Sequence, residues 1–274
     1  MTVHRIGFAY NPTNDEAVEL ADRAAGWCER HGLEDWAAQA GDHDRLLEEL
    51  PTTDVLVILG GDGTLLRAAR AVAEVDVPII GINLGKVGFL STAEAHELEP
   101  VLERVRSGAY RIGERMALTG SIRSSGGGTG TSFTALNDIV IARGSLARVV
   151  RMDVSIDDSH LATFIADGLV VASPTGSTGY SFSAGGPILD PHGRNLVVTP
   201  IAGYLSAIRS VVVSPLQVVR CRVVDAHEAL VSIDGREDIP IVVGDVVEVR
   251  ALERPIRFVE PEGAVPFWDL FRTK

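Results

Sequence analysis

Long apolar runs, cysteines and aromatic residues are all scarce in this sequence of 274 residues. No apolar run approaches the roughly 20 residues that a membrane-spanning helix requires, and the segment Met1 to Tyr10 lacks the basic and apolar regions of a signal peptide. Cys28 and Cys221 form no Cys-x-x-Cys pair, which excludes a disulfide framework and indicates buried thiols. We therefore expect a soluble, cytoplasmic protein.

Basic charge is also in short supply, since 25 Lys and Arg residues oppose 37 Asp and Glu residues and leave a net charge of −12. Such a chain repels phosphate polymers, so we do not expect nucleic acid as a partner. The seven histidines are scattered without zinc-ligand spacing, and no structural zinc site is expected. Glycine is abundant at 28 residues, and 46% of the chain is hydrophobic while only 5% is aromatic. These proportions predict a core of Val, Ile, Leu and Ala between many tight turns.

Two patterns of apolar residues divide the chain. In the first third, short apolar runs alternate with helical spacing, as in a first helix with Asn14 as its N-cap and Gly32 as its C-cap. From residue 114, many short β-branched runs separated by turn signals predict a mostly β domain. We predict an open α/β domain at 1–113, a β-rich domain at 114–258, and a tail at 259–274 that packs on the first domain or on a partner subunit.

The sharpest local motif is Gly-Gly-Asp-Gly-Thr, from Gly60 to Thr64, between a predicted strand and a predicted helix. Glycines there permit unusual backbone angles and leave the N–H groups of the helix N-terminus facing an anion such as phosphate. A carboxylate beside a phosphate is repulsive unless it holds a cation or accepts a proton, so Asp62 indicates phosphoryl transfer. The alternative is a tight turn in which Asp62 or Thr64 caps the helix.

Two better-known phosphate motifs are absent. Gly81-x-x-x-Gly85-Lys86-Val87 is one residue too short for a P-loop and ends in Val where Ser or Thr is required. No Gly-x-Gly-x-x-Gly follows a strand, so a dinucleotide would not be held in the usual Rossmann manner. The segment 83–91 is interpreted as a glycine-punctuated loop that either contacts a ligand or only connects a strand to a helix.

A second dense motif begins at Asp167-Gly168 and continues after a strand from Pro174 to Pro187. It holds four glycines and six side-chain hydroxyls, which suit ribose, phosphate and amide groups, and Tyr180 offers a ring face for stacking on a base. The alternative is a loose surface loop. A third candidate is Asn137-Asp138 at the start of an apolar strand, where the pair could instead cap the strand.

These segments, in this order, resemble the NAD kinase family, which phosphorylates the 2′-hydroxyl of the adenosine ribose of NAD. The matching segments are Gly60 to Leu66, Asn83-Leu84-Gly85 with Gly88-Phe89-Leu90, Asn137-Asp138, and Asp167-Gly168 through Pro187. The resemblance implies an N-terminal α/β domain, a C-terminal β-sandwich-like domain, an active site between them, and a homodimer or homotetramer. It also implies ATP as phosphoryl donor, NAD as substrate and a divalent cation, with Mg²⁺ expected; some family members use inorganic polyphosphate.

The resemblance also assigns roles to individual residues. Asp62 corresponds to the proton acceptor for the ribose hydroxyl, and Gly63 lies with it on the dinucleotide. The other dinucleotide contacts that it implies are Asn137, Asp138, Arg148, Asp167, Thr178, Gly179, Tyr180, Ser181, Phe182, Ser183, Ala202 and Arg236.

The sequence departs from the family pattern near the last two of these positions, Ala202 and Arg236. A common Pro-His pair appears here as Gly203-Tyr204, and Arg236 occupies a position usually held by Gln. An extra cation there favours a phosphate-bearing substrate or product. Two alternatives stay open: a lipid or sugar kinase that shares the Gly-Gly-Asp-Gly-Thr turn, and a non-catalytic NAD(P) sensor that retains the pocket.

Overall fold

The computed structural model describes residues 3–85, 88–126, 130–145, 148–204, 208–263 and 266–270. The chain folds into two compact units, with unit 1 comprising Met1–Arg115 and Pro255–Lys274 and unit 2 comprising Met116–Arg254. The sequence predicts domain limits at 113 and 258, and in the structure the chain returns to unit 1 at Pro255. The strand that follows Pro255 belongs to the sheet of unit 1.

The helices in these ranges are α1 (Asp15–His31), α2 (His43–Glu49), α3 (Asp62–Glu74), α4 (Leu98–Ser107), α5 (Tyr180–Ser183) and α6 (Phe267–Leu270). The strands are β1 (Arg5–Tyr10), β2 (Glu34–Gln39), β3 (Val55–Leu59), β4 (Ile79–Asn83), β5 (Ala93–Glu94), β6 (Tyr110–Arg115), β7 (Leu118–Arg123), β8 (Thr131–Ala135), β9 (Asp138–Arg143), β10 (Val150–Ile156), β11 (Ser159–Ala166), β12 (Gly168–Ala172), β13 (Leu196–Ile201), β14 (Val211–Val213), β15 (Val219–Asp225), β16 (Ala229–Ile233), β17 (Glu237–Ile241), β18 (Val246–Ala251) and β19 (Ile256–Pro261). Single 3-10 turns lie at Leu50–Thr52, Ala95–Glu97 and Thr175–Thr178.

Unit 1 is built on one largely parallel sheet. Its strand order is β2-β1-β3-β4-β19-β6, with β5 paired to β4. Strands β1 to β4 run parallel, and only β6 pairs antiparallel, with β19. Every residue of β3 is buried, as expected for a central strand covered on both faces. The predicted α/β class is confirmed, whereas β19 has no counterpart among the predicted elements.

Helix α1 shows how the local sequence determines an element of unit 1. The Asn14 side chain accepts a hydrogen bond from the Glu16 N–H, and Gly32 ends the helix in the left-handed region at φ 67°. The apolar stripe predicted for this helix, which includes Leu20 and Cys28, is buried against the sheet. Both predicted caps of α1 are therefore confirmed.

Unit 2 contains two antiparallel sheets of six strands each. Their orders are β11-β10-β15-β18-β7-β8 and β14-β13-β12-β9-β16-β17. Alternate side chains of both sheets form one apolar core, to which Met152 and Phe164 contribute from the first sheet and Leu169 and Val231 from the second. The predicted β-rich, sandwich-like character is confirmed.

Two further predictions concern segments that the structure describes only in part. Strands β7 and β8 pair antiparallel, as expected for a hairpin, although 127–129 of the predicted glycine-rich turn lie outside the described residues. In the C-terminal stretch, Phe267 and Trp268 are described and Phe271 lies outside. None of the helices in the described ranges combines the length and apolar character that a membrane crossing needs.

Candidate active site

The Gly60 to Thr64 motif lies at the point where the strand order of the unit 1 sheet reverses. Strand β1 has β2 on one side and β3 on the other, and the motif follows the carboxyl end of β3 directly. In open α/β sheets, ligands bind at this kind of position because the flanking connections diverge there and leave a crevice. Topology therefore supports the ligand-binding interpretation of the motif.

The turn itself requires glycine. A Cβ at residue 60 would lie 2.8 Å from the Thr64 Cβ, and Gly60 has a φ of 154° that side chains rarely adopt. Helix α3 begins at Asp62, and its N-cap, Gly61, forms no side-chain capping hydrogen bond. The alternative in which Asp62 or Thr64 caps the helix is therefore wrong. Gly63 is the second residue of α3, in its first turn.

The Asp62 carboxylate is bound instead by the glycine-punctuated loop after β4. Its Oδ2 accepts a hydrogen bond from the Phe89 N–H at 2.9 Å, and its Oδ1 accepts one from the Leu90 N–H at 3.2 Å. A side chain at Gly88 would overlap the same carboxylate. Two of the roughly four lone-pair sites of a carboxylate are thereby occupied, which orients the group and leaves capacity to accept a proton. The sequence is compatible with either a ligand contact or a simple connection for this loop, and in the structure the loop orients Asp62.

A C-terminal aromatic residue packs on the same loop. The Phe267 and Phe89 ring centroids are 6.2 Å apart with an interplanar angle of 52°, and Trp268 contacts Phe267 edge-on at 5.0 Å. All three residues belong to unit 1. The segment therefore contacts the residue whose N–H orients Asp62.

Unit 2 contains a separate cavity of about 400 Å³ that gathers several of the predicted residues. Asn137, Asp138, Gly179 and Tyr180 line it together with Asp234 and Asp238. The Asn137 Oδ1 atom is buried and has no hydrogen-bond partner among the described residues. A buried acceptor without a partner is costly, so the Asn137 amide, on a residue that lines the cavity, has hydrogen-bonding capacity that the described residues do not use.

Asp234 is a site residue that sequence reasoning missed. Its carboxylate accepts hydrogen bonds from the backbone N–H groups of 136–138, directly beneath the Asn137-Asp138 pair. Burial, and then the charge of Asp234, raises the pKa of the Asp138 carboxyl to about 7. The Asp234-Gly235 dipeptide is a recognisable hairpin signal, but nothing in that signal predicts the partner of the side chain.

Three of the six side-chain hydroxyls in the loop of 174–187 form hydrogen bonds within the protein. Ser177 donates to the Pro174 carbonyl at 2.6 Å, Thr178 donates to the Thr175 carbonyl at 3.2 Å, and Ser181 pairs with the Thr199 hydroxyl at 3.2 Å. These bonds fix the shape of the loop, and the buried Thr175 Oγ1 has no partner among the described residues.

The loop presents its aromatic residues outward. Tyr180 is 47% exposed and Phe182 is 54% exposed, and Ser183 is exposed beside them. Gly176 packs so closely on the Asn137 carbonyl that a Cβ there would overlap it, and a Cβ at Gly179 would lie 3.7 Å from Asp138 Oδ2. The loop is thus seated on the Asn137-Asp138 pair and offers rings for stacking.

Asp167 has a basic partner that the sequence did not predict. Arg143 Nε donates to Asp167 Oδ1 at 2.8 Å, and Arg143 Nη2 donates to Oδ2 at 3.3 Å. The two residues are 24 positions apart, with Arg143 at the end of β9 and Asp167 between β11 and β12, and no sequence signal links them. Arg143 therefore orients the Asp167 carboxylate through a bidentate pair.

The remaining predicted residues lie on exposed segments of unit 2. Arg148 is exposed just before β10, and Arg236 is exposed after the Asp234-Gly235 turn. Ala202 adopts a left-handed φ of 48° and lines a cavity of about 270 Å³ with Gly203 and Arg209. Arg148 and Ala202 do not line the 400 Å³ cavity, and neither does Arg236.

The chain matches known families over most of its length. Residues 43–110 match the ATP-NAD kinase N-terminal domain, and residues 136–261 match the ATP-NAD kinase C-terminal domain. An NAD kinase of Syntrophotalea carbinolica is 38% identical over 281 residues, which cover 98% of this chain and 97% of that protein. An NAD kinase of Moorella thermoacetica is 43% identical over 228 residues, covering 83% and 72% respectively.

Two solved structures share the fold. The yeast NADH kinase complexed with NADH superimposes with a TM-score of 0.85 at 22% identity, covering 98% of this chain and 86% of that one. The NAD kinase of Archaeoglobus fulgidus in complex with ATP gives a TM-score of 0.78 at 26% identity, covering 98% and 97%.

Proposed function

This chain belongs to the NAD kinase family, and we propose that it transfers the γ-phosphate of ATP to the 2′-hydroxyl of the adenosine ribose of NAD, with Asp62 as the proton acceptor. The observation that carries this assignment is the Asp62 carboxylate, oriented by the Phe89 and Leu90 N–H groups at the start of α3. A carboxylate held this way beside a glycine turn serves proton transfer better than it serves phosphate binding alone.

The proposed reaction is a direct displacement at phosphorus. Asp62 accepts the proton of the 2′-hydroxyl while the 2′-oxygen of the ribose attacks the γ-phosphorus of ATP. The bond between the γ-phosphorus and the β–γ bridging oxygen breaks, and ADP leaves. The transition state of phosphoryl transfer is loose, so positioning of the hydroxyl contributes most of the rate. The N–H groups in the first turn of α3 favour a negatively charged phosphate there.

Magnesium enters this proposal as part of the ATP substrate. Within the described residues no group of three or more His, Cys, Asp or Glu side chains is arranged to hold a metal ion. Mg²⁺ commonly keeps several waters and binds mainly through substrate phosphates, so a dedicated cluster of protein ligands is not required. Bound to ATP, it offsets charge on the phosphates.

We assign dinucleotide recognition to unit 2. The unpaired Asn137 Oδ1 suits an amino or amide N–H of the dinucleotide, and the exposed ring of Tyr180 suits stacking on a base. Neither a lipid kinase nor a sugar kinase has a use for this combination. A pure sensor has no use for the oriented Asp62. The homodimer or homotetramer remains a prediction of the resemblance, and the cytoplasmic location remains a prediction from the sequence.

The testing experiment is an NADP-forming assay with purified protein, NAD, ATP and magnesium, coupled to an NADP-specific dehydrogenase. We expect Asp62→Asn to lower turnover by roughly 10²-fold or more, the range for loss of a general base, while NAD still binds. Near-normal turnover of Asp62→Asn would contradict the assignment of the base. Inactive parent protein that binds NAD would favour the sensor, and parent protein that does not bind NAD would favour a lipid or sugar kinase.

A further inference from the structure

One side chain joins the β16–β17 hairpin to the connection between β8 and β9. Asp234 Oδ2 accepts a hydrogen bond from the Leu136 N–H at 3.0 Å, while Oδ1 accepts bonds from the N–H groups of Asn137 at 2.8 Å and Asp138 at 3.1 Å. In return, the Asp234 N–H donates to the Asp138 carbonyl at 3.0 Å. The backbone at the Asn137-Asp138 pair is therefore tied to Asp234 by four hydrogen bonds.

The hairpin turn is shaped to make this connection. Asp234 and Gly235 are both left-handed, with φ of 50° and 64°, and the Arg236 N–H donates to the Ile233 carbonyl at 3.0 Å. The hairpin turn spans 234–236, and Asp is tolerated at its first position but is not required. A left-handed residue other than Gly persists where its surroundings hold it, and the four hydrogen bonds do so here.

The connection controls one wall of the 400 Å³ cavity. Asn137, Asp138 and Asp234 all line that cavity, and the Asp138 side chain is buried. Without the Asp234 carboxylate, the three backbone N–H groups that donate to it would need other acceptors, because buried backbone donors are almost always paired. If these backbone N–H groups moved to reach other acceptors, the side chains of Asn137 and Asp138 would move as well.

We propose that Asp234 is a positioning residue for the dinucleotide cavity, because it holds the backbone that presents Asn137 and Asp138 to the ligand. The identity of the ligand as NAD rests on the proposed function. Asp234 acts through its neighbours, so its loss weakens NAD binding and leaves turnover at saturating NAD nearly unchanged.

The pH dependence of NAD binding tests this role, because a purely structural role of Asp234 would not change it. The titratable groups that line the cavity around Asp138 within the described residues are Asp234 and Asp238 of the hairpin and Tyr180 of the loop. Burial raises the pKa of Asp138 first, and Asp234 raises it further. Removing the charge of Asp234 should lower the pKa of Asp138 and move the pH dependence of NAD binding to lower pH.

The experiment measures the dissociation constant of NAD for the full chain, without ATP, by calorimetry from about pH 5.5 to pH 8.5, a range that spans the pKa of Asp138. Asn tolerates the left-handed backbone, so Asp234→Asn is expected to fold. We expect NAD to bind about tenfold more weakly, turnover at saturating NAD to stay within about threefold, and the pH midpoint of binding to fall by about half a unit or more. Asp234→Gly, which relieves the backbone conformation and removes the acceptor entirely, should weaken binding further.

Asp157→Asn is the matched control. Asp157 is also a left-handed Asp in a hairpin turn, at φ 53°, and its Oδ1 accepts a hydrogen bond from the Val218 N–H at 2.9 Å, but it does not line the cavity. Its variant should bind NAD like the parent, with the same pH midpoint. Parent-like binding or an unmoved pH midpoint in Asp234→Asn overturns the inference, as does equal weakening in Asp157→Asn. Because binding is measured without ATP, a parent that binds NAD but forms no NADP overturns the proposed function alone.

Discussion

Gly88→Ala tests how closely the loop after β4 determines the position of Asp62. A Cβ at residue 88 would overlap Asp62 Oδ1 and lie 2.8 Å from Oδ2, closer than real Cβ atoms essentially ever come. The carboxylate and the loop must therefore separate by about 1 Å or more, and a displacement of that size in a reacting group can lower the rate about 10²-fold. That loss corresponds to about 2.7 kcal/mol of barrier.

The assay compares kcat and KM for NADP formation in the parent, in Gly88→Ala and in Gly85→Ala. Gly85 lies in the same loop, and among the described residues no heavy atom beyond its chain neighbours lies within 4 Å of a Cβ placed there. We expect kcat to fall only in Gly88→Ala, with little change in KM for NAD, because the predicted contacts to the dinucleotide lie mainly in unit 2. Thermal unfolding of all three proteins shows whether the loss of rate exceeds any loss of folded protein.

Two results would refute this reasoning about Asp62. A kcat for Gly88→Ala within about threefold of the parent would mean that the loop does not determine where the carboxylate acts. An equal fall in Gly85→Ala would mean that the loop responds to any added side chain and not to overlap with Asp62.

Three further predictions rest on separate contacts. Phe267→Ala removes the ring that packs on Phe89, and we expect kcat to fall about tenfold with unchanged NAD binding, whereas Phe267→Tyr should retain most of the rate. Arg236→Gln should weaken inhibition by NADP, as measured by product inhibition constants; inhibition equal to the parent's would remove the phosphate role of Arg236. Burial raises the pKa of both Cys28 and Cys221 to about 12, so neither thiol should react with a thiol reagent at pH 8 until the protein is unfolded, when both should.

Elements whose signals are local can be predicted from the amino-acid sequence. The apolar spacing of α1 with Asn14 and Gly32 at its ends, and the five apolar residues of β3, are readable because capping and periodicity act within a few residues. The same holds for the Gly60 to Thr64 turn, since its position between a strand and a helix is visible in the chain. Fold class and reaction class could both be predicted from such signals.

The purpose of the hydroxyl-rich loop was harder to predict. Composition indicated a ligand pocket, yet Ser177, Thr178 and Ser181 bond within the protein. Side-chain direction depends on backbone conformation and on neighbours that are distant in sequence, so composition alone could not separate the inward hydroxyls from the outward rings of Tyr180 and Phe182.

The residues that support the site from distant parts of the chain depend on tertiary contacts. Asp234 lies 96 positions from Asp138, and Phe89 lies 27 positions from Asp62, yet in each pair a backbone N–H donates a hydrogen bond to the aspartate side chain. Strand β19 returns to the first sheet from the far end of the chain. A backbone N–H carries no sequence signature, since every residue except proline has one, so its partner is determined only when folding brings the two segments together.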